Sequence, residues 1–168
     1  MKKMSSFLIV LCASCLMAVA QDYSYNAFSK KFELSQTDQL FFGEGGLKNA
    51  FGVGVGYRLH PDWALRTSFS WQTGNDWESH LSWVADIGVA RVIRNEGLKN
   101  MESHIAFGGG YVWDRSVDGT TGKILGMVEI ENRFYVSPRS YLGTTIKAYA
   151  GKNYAQASFL GISWGIRF

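Results

Sequence analysis

Phe51-Gly52-Val53-Gly54-Val55-Gly56-Tyr57-Arg58-Leu59-His60 is the stretch that decides the architecture. Its odd positions carry Phe51, Val53, Val55, Tyr57 and Leu59; its even positions carry Gly52, Gly54, Gly56, Arg58 and His60. A period of two is the signature of a β-strand with one apolar face, and a helix would scatter both sets around its axis. His60-Pro61-Asp62 makes a tight turn, after which the alternation resumes. Trp63, Leu65, Thr67, Phe69 and Trp71 then stand opposite Ala64, Arg66, Ser68, Ser70 and Gln72.

The same period runs through the rest of the chain. Leu81, Trp83, Ala85, Ile87 and Val89 oppose His80, Ser82, Val84, Asp86, Gly88 and Ala90. Met101, Ile105, Phe107, Tyr111 and Trp113 oppose Glu102, His104, Ala106, Gly108 and Gly110. Ile124, Val128, Ile130, Phe134 and Val136 oppose Met127, Glu129, Glu131, Arg133 and Tyr135. Leu142, Thr144, Ile146, Ala148 and Ala150 oppose Gly143, Thr145, Lys147, Tyr149 and Gly151. At the carboxyl end, Leu160, Ile162, Trp164, Ile166 and Phe168 oppose Phe159, Gly161, Ser163, Gly165 and Arg167. An eighth strand, first in order, is expected within Phe28–Gly45, where Phe32, Leu34, Leu40 and Phe42 share parity and Gln36 and Asp38 interrupt it. Both prolines of the chain lie in tight turns, at Pro61 and Pro138, as befits a residue that cannot donate to a ladder. Asp114–Gly122, Thr73–Trp77 and 151–155 read as looser, polar connections. Short turns on the periplasmic side would bring both termini to that side.

A secreted β-sandwich also alternates, but its second face meets water. Here that face is glycine, alanine and serine with single charges in mid-strand, a poor solvated surface. It suits the interior of an eight-stranded barrel, which is just wide enough for side chains. Strands of about 9–13 residues suit a tilted bilayer crossing, and a large apolar outer face suits lipid. The expected fold is therefore all-β: an eight-stranded, antiparallel, up-and-down transmembrane barrel. Its inward charges, Arg58, Arg66, Arg133, Lys147 and Arg167 beside Asp86, Glu102, Glu129 and Glu131, nearly balance. Buried charges persist only when paired, so these nine are expected to form a salt-bridged plug, with Glu129, Lys147, Arg66 and Asp86 at mid-depth. Trp63, Trp71, Trp83 and Trp113 are expected at the two interfaces.

Residues 1–20 read as an export signal. Lys2 and Lys3 precede an apolar run from Phe7 to Ala20, and Ala18-Val19-Ala20 before Gln21 has the small-x-small form of a cleavage site. The rival reading is lipidation at Cys15, after Ala13-Ser14. It is opposed by Cys12 at the position where an aliphatic residue is wanted, and by the apolar Leu16–Ala20 that follows. Cleavage leaves residues 21–168 as the barrel domain. Cys12 and Cys15, the two cysteines of the sequence, leave with the signal, so no disulfide or thiolate site is expected. Loss of Lys2 and Lys3 reduces the formal charge of +3 to +1, which implies no pull on nucleic acid. No later segment is long and apolar enough for a membrane helix.

Phe159-Leu160-Gly161-Ile162-Ser163-Trp164-Gly165-Ile166-Arg167-Phe168 resembles the C-terminal strand of outer-membrane barrels, which ends on an aromatic preceded by alternating apolar residues. The usual form has glycine where this chain has Ser163. With its signal and strand count, the mature chain resembles the small OmpA/OmpX-like, opacity-type barrels. The resemblance implies an outer-membrane location among lipopolysaccharide and phospholipid. It also implies recognition of Leu160, Ile162, Trp164, Ile166 and Phe168 by the barrel-assembly machinery, and an extracellular ligand of unknown identity. Such barrels serve as adhesins, envelope anchors, defence factors and occasionally enzymes, so the resemblance bears on fold more than on function.

Sought among the residues, catalytic chemistry finds little support. His80-Leu81-Ser82 evokes the lipid A deacylase barrels, but parity turns both side chains inward, and Val92 stands where the acid is wanted. Asp86 and Glu102 lack triad spacing. His60 and His104 have no metal-ligand spacing. Gly43-Glu44-Gly45-Gly46 and Gly108-Gly109-Gly110 lack the strand–turn–helix setting of a phosphate loop. Asp114, Asp118 and Gly119 lack a calcium ladder. No cofactor and no enzymatic role are expected. The leading function is a structural, envelope-integrity or surface-interaction barrel; the alternatives are a narrow channel and, behind it, a lipid A-modifying enzyme.

Overall fold

The computed structural model describes residues 31–43, 46–74, 81–94, 100–116 and 119–168; the expected signal segment, with Cys15, and His80 lie outside them. Eight strands follow in order: β1 Phe32–Gly43, β2 Gly46–His60, β3 Trp63–Thr73, β4 Leu81–Arg94, β5 Met101–Ser116, β6 Gly119–Tyr135, β7 Ser140–Gly151 and β8 Tyr154–Arg167. Each pairs antiparallel with its neighbours in sequence, and β1 pairs with β8, so the sheet closes on itself. This is the all-β, up-and-down barrel that the alternation predicts. Closure leaves no strand edge, the condition for a sheet in hydrocarbon, where no water can satisfy an open ladder.

The stagger of that closure follows from the pairing. Starting at Glu33, lateral partners run through Gly56, Arg66, Gly88, Gly108, Met127, Tyr149 and Gln156, and return to β1 at Gly43, ten residues above the start. Eight strands with this shear tilt by about 35–45° and enclose a lumen that side chains alone can fill. The start of β1 and the end of β8 lie with the turns after β2, β4 and β6, here called the terminal end; the hairpins β1–β2, β3–β4, β5–β6 and β7–β8 form the distal end.

Strand parity sorts the side chains. Phe107, Ile87, Ile130, Ile146 and Leu34 are exposed on the outer wall, while Arg133, Glu131, His104 and Ser82 are fully buried inside. The tryptophans line the outside: Trp71, Trp83 and Trp113 are lateral partners in one row near the distal end, and Trp63 lies at the terminal end with Arg91 over its ring at 5.1 Å. Their amphipathic rings form interfacial girdles.

Three expectations are corrected. Phe159 was expected inside, yet it is 69% exposed on the outer wall beside Leu160. A bulge is the reason: Ile146 of β7 faces both Phe159 and Leu160, and on the β1 side Leu40 and Phe41 pair with Leu160 and Ser158. One extra residue reverses parity, so Tyr154, Gln156 and Ser158 face inward before it and Gly161, Ser163 and Gly165 after it. Second, Asp114–Gly122 is not a loose loop, because the ladder continues to Ser116↔Gly119. Third, the connection expected over 151–155 contracts to Lys152-Asn153, with Asn153 at φ 53°. The connections at the two ends are consequently of similar length.

Lumen glycines mark places with no room for a Cβ. At Gly165 an added Cβ would collide with the Tyr141 ring, and at the buried Gly88 with the methyl end of Met127. Gly126 faces outward, and its nearest neighbour would be the Ala150 carbonyl oxygen at 3.6 Å. Gly165→Val should therefore cost about 1–3 kcal/mol by overpacking, while Gly126→Val should be neutral or better. Urea unfolding of the refolded protein in lipid vesicles reads both; equal losses would contradict this assignment of faces.

Candidate functional site in the barrel lumen

Alternation sends a charged side chain inward from most strands, and the tilt decides which of them meet. Glu33 of β1 accepts a bidentate pair from Arg133 of β6, Nη1–Oε2 2.6 Å and Nη2–Oε1 2.7 Å. Arg133 also holds Glu131 at 2.7 Å. Arg66 of β3 bridges Glu131 at 2.9 Å and Glu129 at 2.6 Å. Lys147 of β7 continues from Glu129 at 3.0 Å to Asp86 of β4 at 2.8 Å. The result is one unbroken chain of alternating sign, Glu33–Arg133–Glu131–Arg66–Glu129–Lys147–Asp86, strung across the lumen.

Neutral groups fill the remaining hydrogen-bonding capacity. Ser163 donates to Glu131 at 2.6 Å, Tyr141 to Glu33 at 3.0 Å, and both Ser68 and Tyr149 to Asp86 at 2.7 and 2.6 Å. Arg133 also lies over the Tyr141 ring, 4.3 Å from its centroid. A second cluster closes the terminal end: Arg58 pairs with Glu102 at 3.0 Å, Tyr135 donates to Glu102 at 2.8 Å, and Arg167 donates to the Tyr135 hydroxyl at 2.9 Å. Arg94, at the rim, approaches Glu102 at 3.5 Å. All nine charges singled out in the sequence lie inside, eight in the two sets of ion pairs and Arg167 reached through Tyr135, with Asp86 at the distal end of the longer chain. Charged groups in a dry interior persist only when each finds such partners.

Sequence reasoning missed Glu33. The Gln36–Asp38 interruption obscured the parity of β1; Phe32 and Leu34 outward put Glu33 inward, and it supplies the fifth acid against five bases. It also missed the filling of the distal third. Phe41, Val84, Val112, Leu125, Met127 and Tyr149 form an apolar plug above the ions, with Lys48 donating to Ser82 at 3.3 Å and Ser82 to Asp114 at 2.8 Å. Two small lumen cavities lie among the described residues, about 10 Å³ beside Arg58 and His104 and about 20 Å³ beside Ser68 and Lys147, each with room for about one water molecule.

The residues weighed for catalysis are spread apart. Ser82 is fully buried within the lumen, out of reach of an acyl chain on the outer wall. Asp86 and Glu102 are occupied by the ion pairs above. His104 contacts Glu102 at 3.3 Å inside the barrel, whereas His60 accepts from the Asp62 amide in the turn at 3.4 Å. Among the described residues no group of three metal-ligating side chains assembles.

The sequence matches no protein-family model and no curated protein. Solved structures share the fold. The N-terminal barrel of Pseudomonas aeruginosa OprF is 12% identical, covers 83% of this chain and 98% of its own, and superposes with a TM-score of 0.69. Neisserial surface protein A is 9% identical over 82% of this chain and 96% of its own, TM-score 0.63. Ail of Yersinia pestis is 14% identical over 83% and 97%, TM-score 0.57. The fold is that of the small eight-stranded outer-membrane barrels, and the apolar outer wall is the one such a barrel turns to lipid.

Lys147→Met should expose the cost of the network. It leaves Asp86 and Glu129 short of a cation in a dry lumen, which should lower stability by about 3–5 kcal/mol. Urea titration in vesicles measures it; a change below about 1 kcal/mol would mean that the pair is solvated and screened.

Proposed function

We propose that this chain is a resident outer-membrane barrel with a structural, envelope-integrity or surface-interaction role, working through its wall and distal rim rather than through a pore or a reaction centre. The observation that carries this reading is the lumen: among the described residues, a seven-residue ion chain lies beneath an apolar plug, with cavities of about 10 and 20 Å³ beside it. A conducting path would have to break several desolvated ion pairs at once. The interior arrangement spends its titratable groups on one another and presents none to a substrate.

Lipid is then the partner of the wall, lipopolysaccharide in one leaflet and phospholipid in the other, and an extracellular ligand the partner of the distal rim. Ail, a barrel of the same fold, has been captured in complex with the heparin analogue sucrose octasulfate, a precedent for ligand binding on this scaffold. The longest distal connection joins Thr73 to Leu81 and is the first segment to alter. Planar-bilayer recordings of the purified protein should show no steady conductance, and cells with 75–80 replaced by a two-residue turn should keep a folded barrel but lose envelope protection or surface binding. Steady openings that vanish in Lys147→Glu would establish the channel reading instead. Lipid A whose acylation depends on His80 would establish the enzyme.

Biogenesis belongs to the same proposal. Leu160, Ile162, Trp164 and Phe168 are exposed along the outer face of β8, with Ile166 half-buried in the same row, which is where the assembly machinery would read them. Deletion of Phe168, or Ile166→Asp, should abolish outer-membrane accumulation; normal levels of both variants would refute this role for the strand.

A further inference from the structure

One place on the outer wall departs from the rule that the rest obeys. Asp38 is the seventh of the twelve residues of β1, and its side chain faces outward between the flanking partners Phe51 and Ile162. Since β1 spans the whole wall, Asp38 stands near mid-bilayer. Gln36 lies one pleat below on the same face; it accepts from the Trp164 indole at 3.3 Å and donates a long bond to Asp38 at 3.5 Å. Asn49, outward on β2 beside Leu40, has no side-chain hydrogen bond among the described residues. Asp38 and Asn49 edge a groove of about 570 Å³, walled by Leu40, Phe51, Trp71, Leu160 and Ile162, and Gln36 lies just below it.

The wall handles a polar group differently elsewhere. Thr67, also outward, closes its hydroxyl onto the Asp86 carbonyl at 2.8 Å. Across the barrel, Ile87, Val89, Phe107, Val128 and Ile130 form an uninterrupted apolar face. An acyl chain in the groove would offer Asp38 and Asn49 neither donor nor acceptor, and lipid headgroups lie at other depths. An ionisable group in the bilayer core marks a contact with protein.

We propose that the groove over β8, β1 and β2 is an interface at which a second copy of this chain docks about a two-fold axis along the membrane normal. Such an axis keeps depth, so Gln36, Asp38 and Asn49 meet their own counterparts without a second protein having to present polar groups at that height. The set is self-complementary: the Gln36 and Asn49 amides of one copy donate to the Asp38 carboxylate of the other, and the reverse. Among the described residues the chain presents no outward Lys or Arg at mid-wall, so amides rather than a cation hold the carboxylate. Leu160, Ile162, Phe51 and Trp71 supply the ridges that interdigitate around the polar centre.

The test uses the full chain with Cys12→Ser and Cys15→Ser, which leaves no other cysteine. In native membranes, Leu40→Cys and Phe51→Cys copies should be joined by a short bifunctional maleimide, and Phe107→Cys on the opposite wall should not. In phosphatidylcholine vesicles, energy transfer between labelled copies should show that Asp38→Leu and Gln36→Leu each weaken the dimer by about tenfold, while Asp38→Asn, which keeps the hydrogen bonds, retains it. Leucine suits a lipid-facing site, and faster gel migration of the unboiled variants verifies that they are folded. Absence of groove cross-links, equal cross-linking at Phe107, or unchanged Leu variants would overturn the proposal. Loss of association with Asn as complete as with Leu would overturn it too, and would assign the carboxylate to a cationic partner.

Discussion

A closed sheet of eight strands with a ten-residue stagger leaves a lumen no wider than the side chains that fill it, and the rest of the molecule answers to that width. Where a large residue points inward, a neighbour must be small: Tyr141 lies against Gly165, and the buried Met127 against Gly88. Where a charge points inward, no water column can solvate it, so it must find its opposite across the barrel. Closure and filling are thus one constraint seen from the backbone and from the side chains.

The ion chain is a costly way to fill a space. Buried ion pairs seldom stabilise a fold more than apolar residues of equal volume would, whereas the loss of one partner is severe. Their use here fits specificity rather than strength. Four of the ion chain's six links join strands distant in sequence: Glu33 to Arg133, Arg66 to Glu129 and Glu131, Lys147 to Asp86. A strand that slipped by one residue would turn its charge into hydrocarbon and orphan the partner left inside. The apolar plug of Phe41, Val84, Val112 and Leu125 carries no such information about register, and it occupies the distal third.

Alternation made most of the wall legible from sequence, because a lipid exterior and a cramped interior demand opposite residues at successive positions. It failed where the period itself breaks. The bulge at Phe159 adds one residue and reverses parity, which no pattern of hydrophobicity announces. In β1, Gln36 and Asp38 interrupt the apolar face, and with it the inward assignment of Glu33. The hairpin Asp114–Gly122 resembled a loop because its residues are polar, yet strands that project beyond the bilayer stay paired with polar residues on both faces. The nine charges were visible as inward residues; which pairs they form was not, since that depends on strand tilt and on distances that only the closed barrel sets.

The central claim is that the bulky face meets hydrocarbon, and five of the six tryptophans report on it once Trp77, outside the described residues, is replaced by Phe. Trp63, Trp71, Trp83, Trp113 and Trp164 all stand on the outer wall, 38–45% exposed. In vesicles of brominated phosphatidylcholine their fluorescence should be quenched strongly, most by bromines near the carbonyl end of the acyl chains, and aqueous acrylamide should quench it little. Strong quenching by acrylamide with none by the brominated lipid would contradict the account.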